Sequence, residues 1–223
     1  MGSLSRVDLE RARYNMVESQ IRTWEVLDQR VLDTLSAVRR EEYVPDQYRP
    51  LAFVDMEIPL GHGEAMLTPK LEARILQELT LNGSDRVLEV GTGSGYMTAL
   101  LAALAAHVHS VELHIDLARS AQRKLTDHGV RNVTVETGDA GNGWLAHAPY
   151  DAIVLTGSVP LLPETFKGQL KSGGRLLAVV GVPPVMTAHL LTSMTPGVYG
   201  DVGLFETCIA PLRNVPQPER FVF

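Results

Sequence analysis

Polar residues dominate positions 4–38, where no proline or glycine interrupts the chain beyond the first residues. Apolar side chains recur there at helical spacing: Ile21, Val26, Leu27, Val31, Leu32 and Leu35. This pattern predicts helix, with a break at Thr23–Trp24 or at Asp28. From Tyr43 to Thr68 the texture changes. Pro45, Pro50, Pro59, Gly61 and Gly63 cut the chain into short apolar pieces. A loop region is expected, with one small strand over Ala52–Ile58. Pro69 then suits the first turn of a helix running to about Leu79, with Thr68 as its N-cap.

Beyond residue 85 the pattern alternates. Apolar runs at Arg86–Val90, His107–Glu112, Val133–Glu136, Asp151–Thr156 and Arg175–Val180 read as strands. Helices are expected at Tyr96–Ala106, Ile115–His128 (closed by Gly129) and Pro163–Leu170. Val185–Leu191 and Leu204–Ala210 are expected as two further strands, antiparallel because the gap between them is short and rich in Gly and Pro. Near-continuous apolar strands separated by helices predict an α/β fold with a mostly parallel central sheet covered on both faces. Its ligand site belongs at the carboxyl ends of the strands. The expected division is residues 1–68, N-terminal helices and a loop, against 69–223, a cofactor-binding domain, packed as one compact unit.

Composition narrows the field. The chain has 223 residues, 45% hydrophobic and 21% charged, which are globular values. The net charge of −6 gives no general footing for nucleic acid. Arg39-Arg40 is read as a solvated helix end. Cys208 is the single cysteine, so neither an internal disulfide nor a cysteine zinc cluster is available. It is read as a buried structural thiol, and no metal is expected. No apolar run reaches bilayer length and no signal core is present, so a cytoplasmic protein is expected, without membrane or nucleic-acid partners. Trp24 and Trp144 are read as packing anchors.

The chemistry begins at Glu89-Val90-Gly91-Thr92-Gly93-Ser94-Gly95-Tyr96. Glycines after a strand let the backbone turn sharply and a ligand approach closely. A dinucleotide fingerprint would need glycine where Tyr96 stands, and a phosphate loop would need Gly-Lys-Ser/Thr. Neither is present. Acids follow at three successive strand ends. Glu89 suits an ammonium, Glu112 a ribose diol and Asp139 an adenine amino group. Together they describe S-adenosyl-L-methionine, with S-adenosyl-L-homocysteine as the product.

Val87–Tyr96 resembles motif I of class I S-adenosylmethionine methyltransferases, a Rossmann-like fold. Asn15–Arg22, Arg39–Pro45 with Tyr48 and Ala52, Ile58–Gly63 and Gln169–Leu176 are similar to successive segments of protein-L-isoaspartate O-methyltransferases. The resemblance spans about residues 13–182. It implies carboxyl O-methylation that repairs isoaspartyl residues in proteins or peptides. The implied cofactor contacts are Glu89, Gly91, Thr92, Gly93, Ser94, Gly95, Glu112, Leu113, Asp139, Ala140 and Thr156. The loop departs from the family pattern. Leu67 stands where the family places its active-site serine, and Ala65 where it places a threonine. His62 either contacts a substrate carboxylate or fills a turn, and Thr68 either replaces a lost hydroxyl or caps its helix. Three functions stay open: the repair enzyme, a methyltransferase of the same fold with another acceptor such as a small molecule, and a cofactor-binding protein with little turnover. Oligomeric state is not legible.

Overall fold

A computed structural model describes residues 6–195 and 197–217. Residues 1–5, 196 and 218–223 lie outside the described residues. A seven-stranded sheet organises the chain in the order β5-β4-β3-β6-β7-β8-β9. The strands are β3 (Arg86–Val90), β4 (His107–Glu112), β5 (Val133–Thr137), β6 (Tyr150–Leu155), β7 (Leu170–Val182), β8 (Val185–Thr195) and β9 (Val198–Thr207). The first five run parallel; β8 and β9 are antiparallel. Strand order reverses at β3, which opens the crevice where open α/β sheets bind ligands.

Period-two alternation builds two cores. Val87, Val108, Ala152, Val154, Leu177 and Val179 face one apolar cluster, and Leu88, Val111, Ile153, Leu155, Leu176 and Ala178 face the other. The first cluster is covered by α1 (Arg6–Asn15), α2 (Gln29–Ala37), α3 (Pro69–Leu79), α4 (Tyr96–Leu104) and α5 (Ile115–Asp127). The second face is thinner. It carries α6 (Glu164–Lys167), the short 3₁₀ turn Leu145–His147 and Trp144.

The N-terminal stretch is helical but broken. A π-helical segment (Met16–Ile21) and a 3₁₀ turn (Arg22–Trp24) follow α1. Glu25 adopts φ 62°, and Asp28 then caps α2 by accepting from Arg30 N at 2.8 Å. Both anticipated break points are therefore used.

Three expectations need correction. Ala52–Ile58 is not a strand: a turn and bends follow the 3₁₀ segment Asp46–Leu51, and the strand β1 covers Ile58–Gly61, paired with β2 (Glu64–Met66). Cys208 is exposed, because it lies just past β9 with the buried Ile209 taking the inward position. Arg40 is fully buried rather than solvated. Its Nε donates to Ala52 O at 2.9 Å, its Nη2 donates to Leu67 O at 2.8 Å, and its Nη1 pairs with Glu72. Arg39, beside it, is exposed. No helix among the described residues is long and apolar enough to cross a membrane.

Candidate active site

A cavity opens at the carboxyl ends of β3, β4, β5 and β6. Its floor is the turn Val90–Ser94. Gly91 has φ 97°, and a Cβ there would stand 2.3 Å from Thr156 Oγ1. That threonine donates to Gly91 O at 2.7 Å, which ties the turn to the end of β6.

Glu112 is 5% exposed and lines the cavity. Its Oε2 accepts from Gly93 N at 2.8 Å and its Oε1 from His114 N at 3.0 Å. Each carboxylate oxygen can accept two hydrogen bonds, so a diol still finds acceptors there. Asp139 stands across the cavity, its oxygens accepting from Gly141 N at 3.0 Å and Asn214 Nδ2 at 2.8 Å. Thr92, Ser94, Leu113 and Thr156 also line the cavity.

Three anticipated contacts stand back from this wall. Glu89 is completely buried beneath the glycine turn. Its Oε2 accepts from Thr98 Oγ1 at 2.5 Å and Ser110 Oγ at 2.6 Å, while Oε1 has no partner. Ser110 in turn bonds Thr92 at 2.6 Å, so Glu89 reaches the turn through a hydroxyl relay rather than facing a ligand. Burial pushes its carboxyl up to about 8. Gly95 begins α4 and packs on Ala121. Ala140 belongs to the second apolar cluster.

The loop residues divide similarly. Ala65, Met66 and Leu67 line the cavity with Leu60 and Met97, giving an apolar wall. Thr68 does not face it. Its Oγ1 accepts from Leu71 N at 3.4 Å as the N-cap of α3, and the residue borders a separate cleft with Trp24 and Lys70. His62 sits at the tip of the β1–β2 hairpin with φ 55° and does not line the cavity. Its ring stacks on His114 at 4.2 Å and its Nε2 meets Asp116 at 2.9 Å, a bond that lowers the Asp116 carboxyl.

Several lining residues carried no signal in the sequence. Arg213 arrives from the C-terminal segment, pairs with Glu64 at 3.0 Å and donates to His62 O at 3.1 Å. Glu57 and Glu72 reach the cavity from flanking elements. Only the tertiary fold brings these groups together. Trp24 is 54% exposed beneath the Lys70 ammonium, 3.7 Å from its ring centre, rather than a packing anchor.

Comparison with known proteins gives one family. The model for protein-L-isoaspartate (D-aspartate) O-methyltransferase matches residues 11–191. The protein-L-isoaspartate O-methyltransferase 1 of Rhodopseudomonas palustris strain HaA2 is 40% identical over 204 residues, covering 92% of this chain and 82% of its own. A solved protein-L-isoaspartate O-methyltransferase superposes with TM-score 0.78 at 26% identity, over 89% of this chain and 65% of that one. The fold is also that of a Plasmodium falciparum structure described as a protein of this kind in complex with S-adenosyl-L-homocysteine. That pair has TM-score 0.79 and 20% identity, covering 90% of this chain and 98% of the other. The family match over residues 11–191 and the 40% identity over most of the chain show that it belongs to the protein-L-isoaspartate (D-aspartate) O-methyltransferase family, a family of S-adenosylmethionine-dependent methyltransferases.

Proposed function

We propose that the protein transfers the methyl group of S-adenosyl-L-methionine to the side-chain carboxylate of isoaspartyl residues in proteins or peptides. The observation that carries this reading is Glu112. It is a nearly buried carboxylate at the strand-order reversal, facing a cavity whose floor is a glycine turn. Bound there, the cofactor supplies an electrophilic sulfonium methyl group.

The chain's own task is placement. Glu112 would accept from the ribose hydroxyls and Asp139 from the adenine amino group, across the turn Gly91–Ser94. Thr156 keeps that turn open. The carboxylate acceptor is ionised at neutral pH, since such groups titrate near 4, so no general base is required. The residues must instead hold acceptor and methyl group about 3–3.5 Å apart and in line. The apolar wall Leu60–Met66–Leu67–Met97 excludes water, which favours a step in which opposite charges neutralise. Arg213 and His114 are the cavity's basic residues and the groups suited to meet an acceptor carboxylate.

A second acceptor class has a specific observation behind it. Ala65 and Leu67 put no hydroxyl where the family has two, while Glu57 and Glu64 line the cavity beside them. A wall that is apolar and acidic suits a neutral or cationic acceptor.

The test is incubation with methyl-labelled cofactor and two peptides, one isoaspartyl and one with normal aspartate. Base-labile label on the isoaspartyl peptide alone is the expected result. No label on either, with S-adenosyl-L-homocysteine still binding by calorimetry, leaves the second acceptor class or a cofactor-binding protein with little turnover. Leu67→Ser separates the two further: it raises isoaspartyl turnover only if that is the acceptor.

A further inference from the structure

The thin face of the sheet carries a cluster that the methyl-transfer site does not use. His109 on β4, Glu136 on β5 and His147 in the 3₁₀ turn converge there. One ring nitrogen from each histidine and one carboxylate oxygen lie within 4.8 Å of one another. His109 is 7% exposed, and its Nδ1 is buried without a hydrogen-bond partner. An unsatisfied buried imidazole nitrogen costs free energy and requires an explanation.

The surroundings are those of a ligand set. The His147 Nε2–Glu136 Oε2 distance is 2.9 Å, so these two groups already share one proton or one ion's place. Trp144 Nε1 donates to the same Glu136 oxygen at 3.2 Å, an outer hydrogen bond of the kind that orients a ligating carboxylate. Arg86 Nη2 donates to His147 O at 3.0 Å and fixes the backbone of that turn. Two imidazoles and a carboxylate with a free fourth position form the donor set of a borderline divalent cation.

From this juxtaposition of His109, Glu136 and His147 we infer a binding site for a zinc-class divalent ion, completed by water. The rings of His109 and His147 stack at 3.9 Å, inclined by 14°. Binding one ion requires the two rings to rotate out of this stack, so that both lone pairs meet at a centre about 2 Å from each donor. The ion braces β4, β5 and the turn before β6. Trp144 transmits the brace, because its ring packs directly on Gly138, where a Cβ would lie 2.5 Å from Cη2. Gly138 immediately precedes Asp139, so the brace supports the wall of the cofactor cavity from beneath.

The full-length protein, stripped with a chelator, is titrated with Zn²⁺ by calorimetry and its melting followed with and without the ion. One ion per chain and a raised Tm are expected, since an ion bound only by the folded chain stabilises it. His109→Ala and His147→Ala each weaken binding by at least about 100-fold, and Trp144→Phe by about 10-fold. The paired change His62→Ala and His114→Ala, at the second histidine stack, leaves zinc affinity intact. Co²⁺ in place of zinc gives a visible spectrum without the thiolate charge-transfer band that exposed Cys208 would contribute. Absence of zinc binding overturns the proposal. So does binding that survives His147→Ala, falls with the His62/His114 pair or shows thiolate ligation. If His109→Ala fails to fold, His147→Ala and Glu136→Gln, at half-buried positions, carry the same test.

Discussion

Glu112 and Gly91 concentrate the chemistry of the cavity at single positions. Glu112→Gln keeps the shape but removes the charge, and hydrogen bonds to charged groups contribute roughly 1.5–3 kcal/mol. S-adenosyl-L-homocysteine is expected to bind about 10- to 100-fold more weakly, read by titration calorimetry. Gly91→Ala forces a side chain into the left-handed region and against Thr156. It is expected to cost about 1–3 kcal/mol in urea unfolding and to weaken the same ligand. These two positions were legible in the sequence because their chemistry is local: a glycine turn and the acid that ends the next strand. Other residues were not. Glu89 is an acid near a strand end like Glu112 and points to the same face, but it pairs in register with Ser110, two residues before Glu112, so it lies beneath the turn against Thr98 of α4 instead of at the rim. Thr68 was legible as a cap because capping is also local.

Between elements, one buried guanidinium joins the N-terminal region to the cavity loop. Arg40 holds Ala52 O, Leu67 O and Glu72 at once, so the loop before α3 hangs from a side chain 27 residues earlier. Burial raises the Glu72 carboxyl, and Arg40 acts against that shift. Arg40→Met leaves Glu72 buried and unpaired, and about 3–5 kcal/mol of stability is expected to be lost. The double change Arg40→Met with Glu72→Leu should recover most of it, both measured by urea unfolding. The double variant still lacks the donor to Leu67 O, so its isoaspartyl turnover should stay low. Sequence pattern recovers β3 to β6 and α3 to α5 because each has one clean period. It misreads Arg40 because its partner lies 32 residues away, and it misses the β1–β2 hairpin because proline and glycine mask so short a strand pair.

For the molecule as a whole, buried acid sets the response to pH. The folded Glu89 carboxyl titrates at about 8, against an ordinary value of 4.5. Between those values the folded chain keeps a proton that the unfolded chain releases, so stability falls as pH rises through the window. Urea unfolding at pH 5.5 and 7.5 should show the decline; buried Glu72 is raised to about 8 as well, so Glu89→Gln should reduce the decline without abolishing it. The overall architecture was readable from alternation of strands and helices. The convergence of His109, Glu136 and His147 was not, since each comes from a different element and none sits in a recognisable spacing.

The contact between Arg213 and Glu64 joins positions 149 residues apart, and both side chains line the cavity. Arg213 is half exposed, and ion pairs of this kind contribute only about 0–1 kcal/mol. A clasp that weak opens many times before a tightly held ligand departs. Release therefore scales with the fraction of time the clasp is open, while the contacts on the cavity floor set the slow step. Stopped-flow release of S-adenosyl-L-homocysteine should accelerate with salt, as screening loosens the clasp, and Arg213→Ala should erase that salt dependence.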